Sequence, residues 1–106
     1  MKKYRIRFLE DTVRDKEEIR SYLSHYYENT ASRFFRLLKE KISRLKDFPY
    51  SCQVYEYDQD YRVLIVEDYL VFYIVNDDDK AIEIHRIFHG SKDIREQFNK
   101  NKKEHL

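Results

Sequence analysis

Glycine and proline occur once each in 106 residues, so the chain has almost nothing from which to build a flexible linker or a low-complexity tail. Tryptophan is absent, and a single cysteine, Cys52, cannot staple the fold to itself. Stability must then come from packing, and a reducing cytoplasm is the expected setting. No apolar run approaches the ~20 residues needed to cross a bilayer, and no basic-then-apolar leader opens the sequence, so a cytosolic protein without a membrane partner is expected. No internal repeat is visible. At 13.3 kDa there is room for one core only, and one domain over 1–106 is expected, ordered from about 3 to 98 with a frayed tail.

Charge of one sign is missing as well. Charged residues make up 39% of the chain, yet the net charge is +1. A protein that grips many phosphates usually carries a stronger and more uniform excess of Lys and Arg. The signs do segregate along the sequence. Residues 1–10 hold four bases against one acid, and 31–50 hold six bases against two acids. Between 51 and 80 the balance reverses, with eight acids against two bases.

Large apolar side chains are plentiful. The hydrophobic fraction is 42%, with ten Tyr and seven Phe, enough for a compact core. Tyr4, Ile6 and Phe8 alternate with Lys3, Arg5 and Arg7, the period-two pattern of a strand with one wet face. Thr12 followed by Asp15 matches a capping box and places a helix start there. That helix is expected to bury Ile19, Tyr22, Leu23 and Tyr26 on one stripe. Asn29–Thr30 offers a second N-cap. Ala31, Phe34, Phe35, Leu38, Ile42 and Leu45 form a second stripe, ended by Asp47-Phe48-Pro49. The two helices read as an antiparallel hairpin.

After Pro49 the pattern turns to strands: Val54–Tyr57, Tyr61–Val66, Tyr69–Val75 and Ala81–Phe88, rich in Val, Ile, Tyr and Phe. The short links at Glu67–Asp68 and Asn76–Asp79 require antiparallel neighbours. Tyr69–Val75 is apolar on both faces, as a central strand would be. In the last strand Ile82 and Ile84 share a face, but Ile87 is an odd step away. Either a bulge near His85–Arg86 reconciles them, or Phe88 continues the inner face and Ile87 packs on the other. His89–Gly90 closes the strand, and Ser91 can cap a short C-terminal helix carrying Ile94 and Phe98. The expected class is α+β: an N-terminal strand, a two-helix hairpin packed on an antiparallel sheet, and a short last helix.

This order of elements resembles the RelE/ParE superfamily, toxins of bacterial type II toxin–antitoxin (plasmid stabilisation) modules. Asp15, Ile19 and Tyr22 stand where these toxins show an Asp–Leu…Ile…Tyr pattern. Leu45 and Pro49 resemble the Leu…Pro that ends their second helix. Tyr61–Arg62 followed by Tyr69-Leu-Val-Phe-Tyr73 looks like their paired central strands. Arg86-Ile-Phe-His89-Gly-Ser-Lys-Asp93 resembles the Arg-Val-Leu-His…Asp ending of the ParE branch. The similarity covers roughly residues 4 to 94. It implies an antitoxin partner whose C-terminal segment wraps the toxin as a helix or added strand. A homodimer of the free toxin stays open.

If the chain cuts RNA, it needs a base, an acid and cations against phosphate charge. The candidates are Arg62, His89 and Lys92, with Glu56 and Arg86 secondary. Each has a plainer reading. Arg62 can pair with Asp60 or Glu67, and Arg86 between apolar neighbours with Glu83 or Asp93. His89 can cap the strand-to-helix turn, and His85 can be solvated. Glu56 between Tyr55 and Tyr57 fits an edge strand, and Lys92 can pair with Asp93. The histidines lack ligand spacing with Cys52 or with each other, so no metal is expected, and nothing asks for a cofactor.

Leu70 stands where the ribosome-dependent nucleases commonly carry Arg, and their surfaces are strongly basic. Both departures favour the ParE-like reading, in which the toxin binds and poisons DNA gyrase without doing chemistry. An endoribonuclease cutting mRNA on the ribosome is the alternative, and a domesticated toxin that binds only its antitoxin is a third.

Overall fold

A computed structural model describes residues 3–26 and 29–91. The elements run β1 (Arg5–Phe8), α1 (Glu10–Ser24), α2 (Thr30–Arg44), β2 (Gln53–Val54), β3 (Arg62–Val66), β4 (Tyr69–Asn76) and β5 (Ala81–His89). The strands form one sheet in the order β1-β5-β4-β3-β2. Three neighbouring pairs are antiparallel, as the short turns demand. The pairing of β1 with β5 is parallel, Arg5 to Ala81 through Phe8 to Ile84, so the sheet is mostly antiparallel, with one parallel pair at its edge. Nothing tied β1 to an antiparallel partner, because the chain between β1 and β5 includes both helices.

One face of the sheet is covered by the helices. Ala31, Phe34, Leu38, Ile42 and Leu45 are buried along α2 as their spacing foretold. Phe34, Leu38, Ile42 and Leu45 pack with Val66, Tyr69, Val71, Tyr73, Ile82, Ile84 and Ile87. β4 alternates: Leu70 and Phe72 turn to the opposite face, where Phe72 and Phe88 are buried with Tyr55, Tyr61 and Val63 beside them. β4 is therefore apolar on both sides, as its sequence indicates.

The first helix departs from expectation. It starts at Glu10 with Leu9 at the N-cap and no side-chain cap, so Thr12 and Asp15 form no capping box. Both are buried instead. The stripe is narrower than the sequence suggests: Ile19 is buried and Leu23 half-buried, but Tyr22 and Tyr26 are 54% and 58% exposed. Helix α2 does start at Thr30 after Asn29, again without a side-chain cap bond.

The strand expected over Val54–Tyr57 is only Gln53–Val54, since beyond it the Tyr55 N–H donates to the Tyr61 carbonyl (2.8 Å) and closes a loop. With so little glycine, two turns place ordinary residues in the left-handed region, Glu67 (φ 53°) and Lys80 (φ 51°). Gly90 serves where the backbone comes close: its N–H meets the Asp68 carbonyl at 2.8 Å, and a Cβ there would lie 3.3 Å from that oxygen. The expected C-terminal helix with Ile94 and Phe98 lies outside the described residues.

Candidate functional site

β5 is where the sequence leaves a choice and the structure makes one. Phe72 pairs with Arg86 and Tyr73 with Ile84, so His85 is the extra residue of a bulge. The bulge returns Ile87 to the helix side with Ile82 and Ile84, and leaves Phe88 on the other face.

β1 pairs with β5 only as far as Ile84, and from there α1 takes over the edge. The Leu9 N–H donates to the Ile84 carbonyl at 3.1 Å, and the Thr12 hydroxyl to the same oxygen at 2.6 Å. Asp15 Oδ2 then accepts the Ile87 N–H at 2.9 Å. The same carboxylate holds Arg86 through two bonds, Nε at 2.8 Å and Nη2 at 3.0 Å. This is a two-point guanidinium–carboxylate pair with both side chains largely buried. The partner of Arg86 is thus Asp15, not Glu83. The guanidinium also lies 4.3 Å from the Phe88 ring centroid, so Arg86 is held by Asp15 and Phe88.

His85 occupies the helix-free side of the bulge. Its Nδ1 is 3.3 Å from the Tyr61 hydroxyl, and its Nε2, buried without a hydrogen bond, lies 3.6 Å from Glu83. Burial pushes its pKa down, with Glu83 opposing. Glu83 in turn takes Arg7 at 2.9 Å and Asn76 at 3.2 Å.

Arg62 follows Tyr61 in the chain but makes its contacts elsewhere. Its Nη1 donates to the Cys52 carbonyl at 2.7 Å and to the Tyr50 carbonyl at 3.3 Å, and its guanidinium lies 5.0 Å from the Tyr50 ring centroid. Neither Asp60 nor Glu67 is its partner; Glu67 pairs with Arg33. The buried Tyr73 hydroxyl donates to Pro49 nearby, and burial pushes that phenol up. Arg62 therefore clamps the loop that follows α2. Further along, Tyr4 and Tyr50 both donate to Asp77, which pushes the Tyr50 phenol up to about 12 and holds Asp77 below the usual carboxylate range.

His89 is at the opposite end of the sheet. It pairs with Tyr69, which also pairs with Val66, and Arg62 lies four residues along β3 from Val66, about 13 Å of strand. Glu56 is exposed in the loop after β2, and Lys92 lies outside the described residues. The described residues therefore do not bring Arg62 and His89 together. Among them, no group of three His, Cys, Asp or Glu is placed to hold a metal. No helix is long and apolar enough to cross a membrane.

A different feature stands out between β1 and the helices. A groove of about 760 Å³ has Ile6, Phe35, Leu38 and Ile42 as its floor, and Lys3, Arg5, Lys16, Arg20, Lys39 and Lys46 around it, with no acid in its lining. Burial pushes the Lys16 ammonium down, and its Nζ lies 4.3 Å from the Phe8 ring centroid. β1 forms one wall. The Arg5 and Leu9 N–H groups donate to Lys80 and Ile84 of the β5 side, so the period of two turns the backbone groups of Ile6 and Phe8 toward the open edge. Individual groove residues were not singled out from sequence, though the clustering of bases in 1–10 and 31–50 was the available signal.

An α+β domain with a helical hairpin on one face of a five-stranded sheet defines a RelE/ParE-like toxin fold. The chain is similar to the structure "Chromosomal ParDE TA system from P. aeruginosa", with TM-score 0.70, 16% identity, and 81% of this chain and 95% of that chain covered. It is also similar to the intact E. coli RelBE toxin–antitoxin complex (TM-score 0.60, 13% identity, 84% and 99% covered). A third is the archaeal RelE–RelB complex from Pyrococcus horikoshii OT3 (0.57, 21%, 85% and 98%). No curated protein sequence matches. The family model described as ParE toxin of type II toxin-antitoxin system, parDE, matches residues 6–94, and the chain belongs to that family.

Proposed function

We propose that this toxin arrests growth by binding DNA gyrase in the cytoplasm, without itself doing chemistry, and that a cognate antitoxin neutralises it. The observation that carries this reading is the placement of the cationic candidates. A ribonuclease needs cations free to meet developing charge on a phosphate. Among the described residues, Arg62 is held by two backbone carbonyls and Arg86 by Asp15, and Arg62 is a strand's length from His89. The chain belongs to the ParE toxin family, the branch for which the resemblance implies a gyrase target.

The basic groove beside β1 supports the antitoxin. Its apolar floor suits alternate side chains of an extended segment, its cations suit acidic ones, and the open edge of β1 offers backbone pairing.

The test is short induction of the toxin in cells, followed by parallel readout of plasmid topoisomers and mRNA 5′ ends. Loss of negative supercoiling with intact messages is expected. Cleavage of translated messages with supercoiling unchanged overturns the reading and restores an mRNA endoribonuclease.

A further inference from the structure

Glu18 and Tyr22 are four residues apart on α1 and share a stripe, and Tyr26 follows just past the helix end. The Tyr22 and Tyr26 rings meet edge to face at 5.2 Å, and the Tyr26 hydroxyl is 2.9 Å from that of Tyr22. Across from them, Tyr69 and His89 pair in register with ring centroids 5.2 Å apart. A cleft of about 380 Å³ lies between, lined by Glu18, Tyr22, Tyr69 and His89 over a floor of Ile19 and Ile87. Asp15, at its base, is neutralised by Arg86. His89 Nδ1 accepts the Ser91 N–H at 3.1 Å and lies 2.7 Å from the Ser91 hydroxyl. Glu18 is exposed and has no ion pair or hydrogen bond among the described residues.

We propose that this cleft receives an arginine side chain presented by a protein partner. The proposal rests on reading the molecule as a binding toxin and gives that binding a recognition element. A carboxylate without a partner among the described residues, beside aromatic rings and an aliphatic floor, selects a cation with a flat, weakly hydrated head. The molecule already uses this contact internally, with Arg20 over Phe35 at 4.3 Å and Arg86 over Phe88 at 4.3 Å. The tyrosines are rigid, half-wet side chains of the kind that anchor protein interfaces, and exposure of more than half leaves Tyr22 and Tyr26 available to a partner.

The probe is Nα-acetyl-arginine N-methylamide, titrated into the labelled toxin by NMR, with the citrulline and lysine amides as controls. Saturable shifts of the Tyr22 and Tyr69 ring resonances are expected with arginine, weaker ones with lysine, and none with the neutral citrulline. Glu18→Gln should weaken arginine binding about twofold to fivefold, as an exposed charge pair does, and Tyr22→Ala should abolish it while the amide spectrum stays folded. Equal response to citrulline, lysine as tight as arginine, or binding unchanged in both variants overturns the proposal. These outcomes do not depend on gyrase. A toxin that takes arginine and leaves supercoiling unchanged supports the cleft and contradicts the assigned target.

Discussion

Asp15 gathers three hydrogen bonds at the place where β1 stops covering β5, two from Arg86 and one from the Ile87 N–H. Removing the arginine strands a buried carboxylate, and breaking such a pair costs about 3–5 kcal/mol. Arg86→Met should lower the unfolding free energy by that order in urea titrations, as a residue with a structural duty requires; an unchanged midpoint would remove the duty assigned here. His85 makes a prediction of opposite character. Its folded pKa is lowered by burial, so the unfolded chain binds the proton more readily. The stability present above the unfolded value of about 6.5 is therefore lost as pH falls below it. Denaturation midpoints should drop between pH 7.5 and 5.5, and His85→Gln should flatten that slope. Neither environment was legible at this scale. Thr12 and Asp15 have capping-box spacing, but the partners that bury them, Ile84 and Arg86, lie about 70 residues away.

At the scale of elements, the sequence was most legible where periodicity and burial agree. The stripe of α2 and the two-sided β4 came through, because a core that covers a whole face leaves an unbroken pattern. α1 misled because it covers the edge of β5 as well as the sheet face, so its inward residues are Thr12, Asp15 and Ile19. Tyr22 and Tyr26 keep helical spacing yet stay outside. The phase slip in β5 was visible, but only the pairing with β4 puts the extra residue at His85. The role of Thr12 as an edge cover is testable. Thr12→Val keeps the shape and loses the hydroxyl bond to Ile84, while Leu9 still donates to that carbonyl. The expected loss is about 1 kcal/mol by thermal or urea denaturation, and no loss would deny the contact any weight.

The whole molecule divides its charge although its net is nearly zero. Lys3, Arg5, Lys16, Arg20, Lys39 and Lys46 converge on one groove that no acid of 51–80 lines, while Arg7 and Arg33 pair with Glu83 and Glu67 away from it. Sequence showed the segregation and not the convergence, because α1 and α2 come together with β1 only in the fold. Arg20→Glu with Lys39→Glu, both exposed in the free toxin, should weaken antitoxin binding by at least tenfold and reduce its salt dependence. Unaltered affinity would move the antitoxin to another surface. A toxin that acts by binding must hold its protein target directly. Calorimetric titration of purified toxin into purified gyrase tests this most directly. The account predicts saturable binding that is lost when the antitoxin is present in excess. Heats no larger than dilution, from a toxin that still arrests growth, would contradict it.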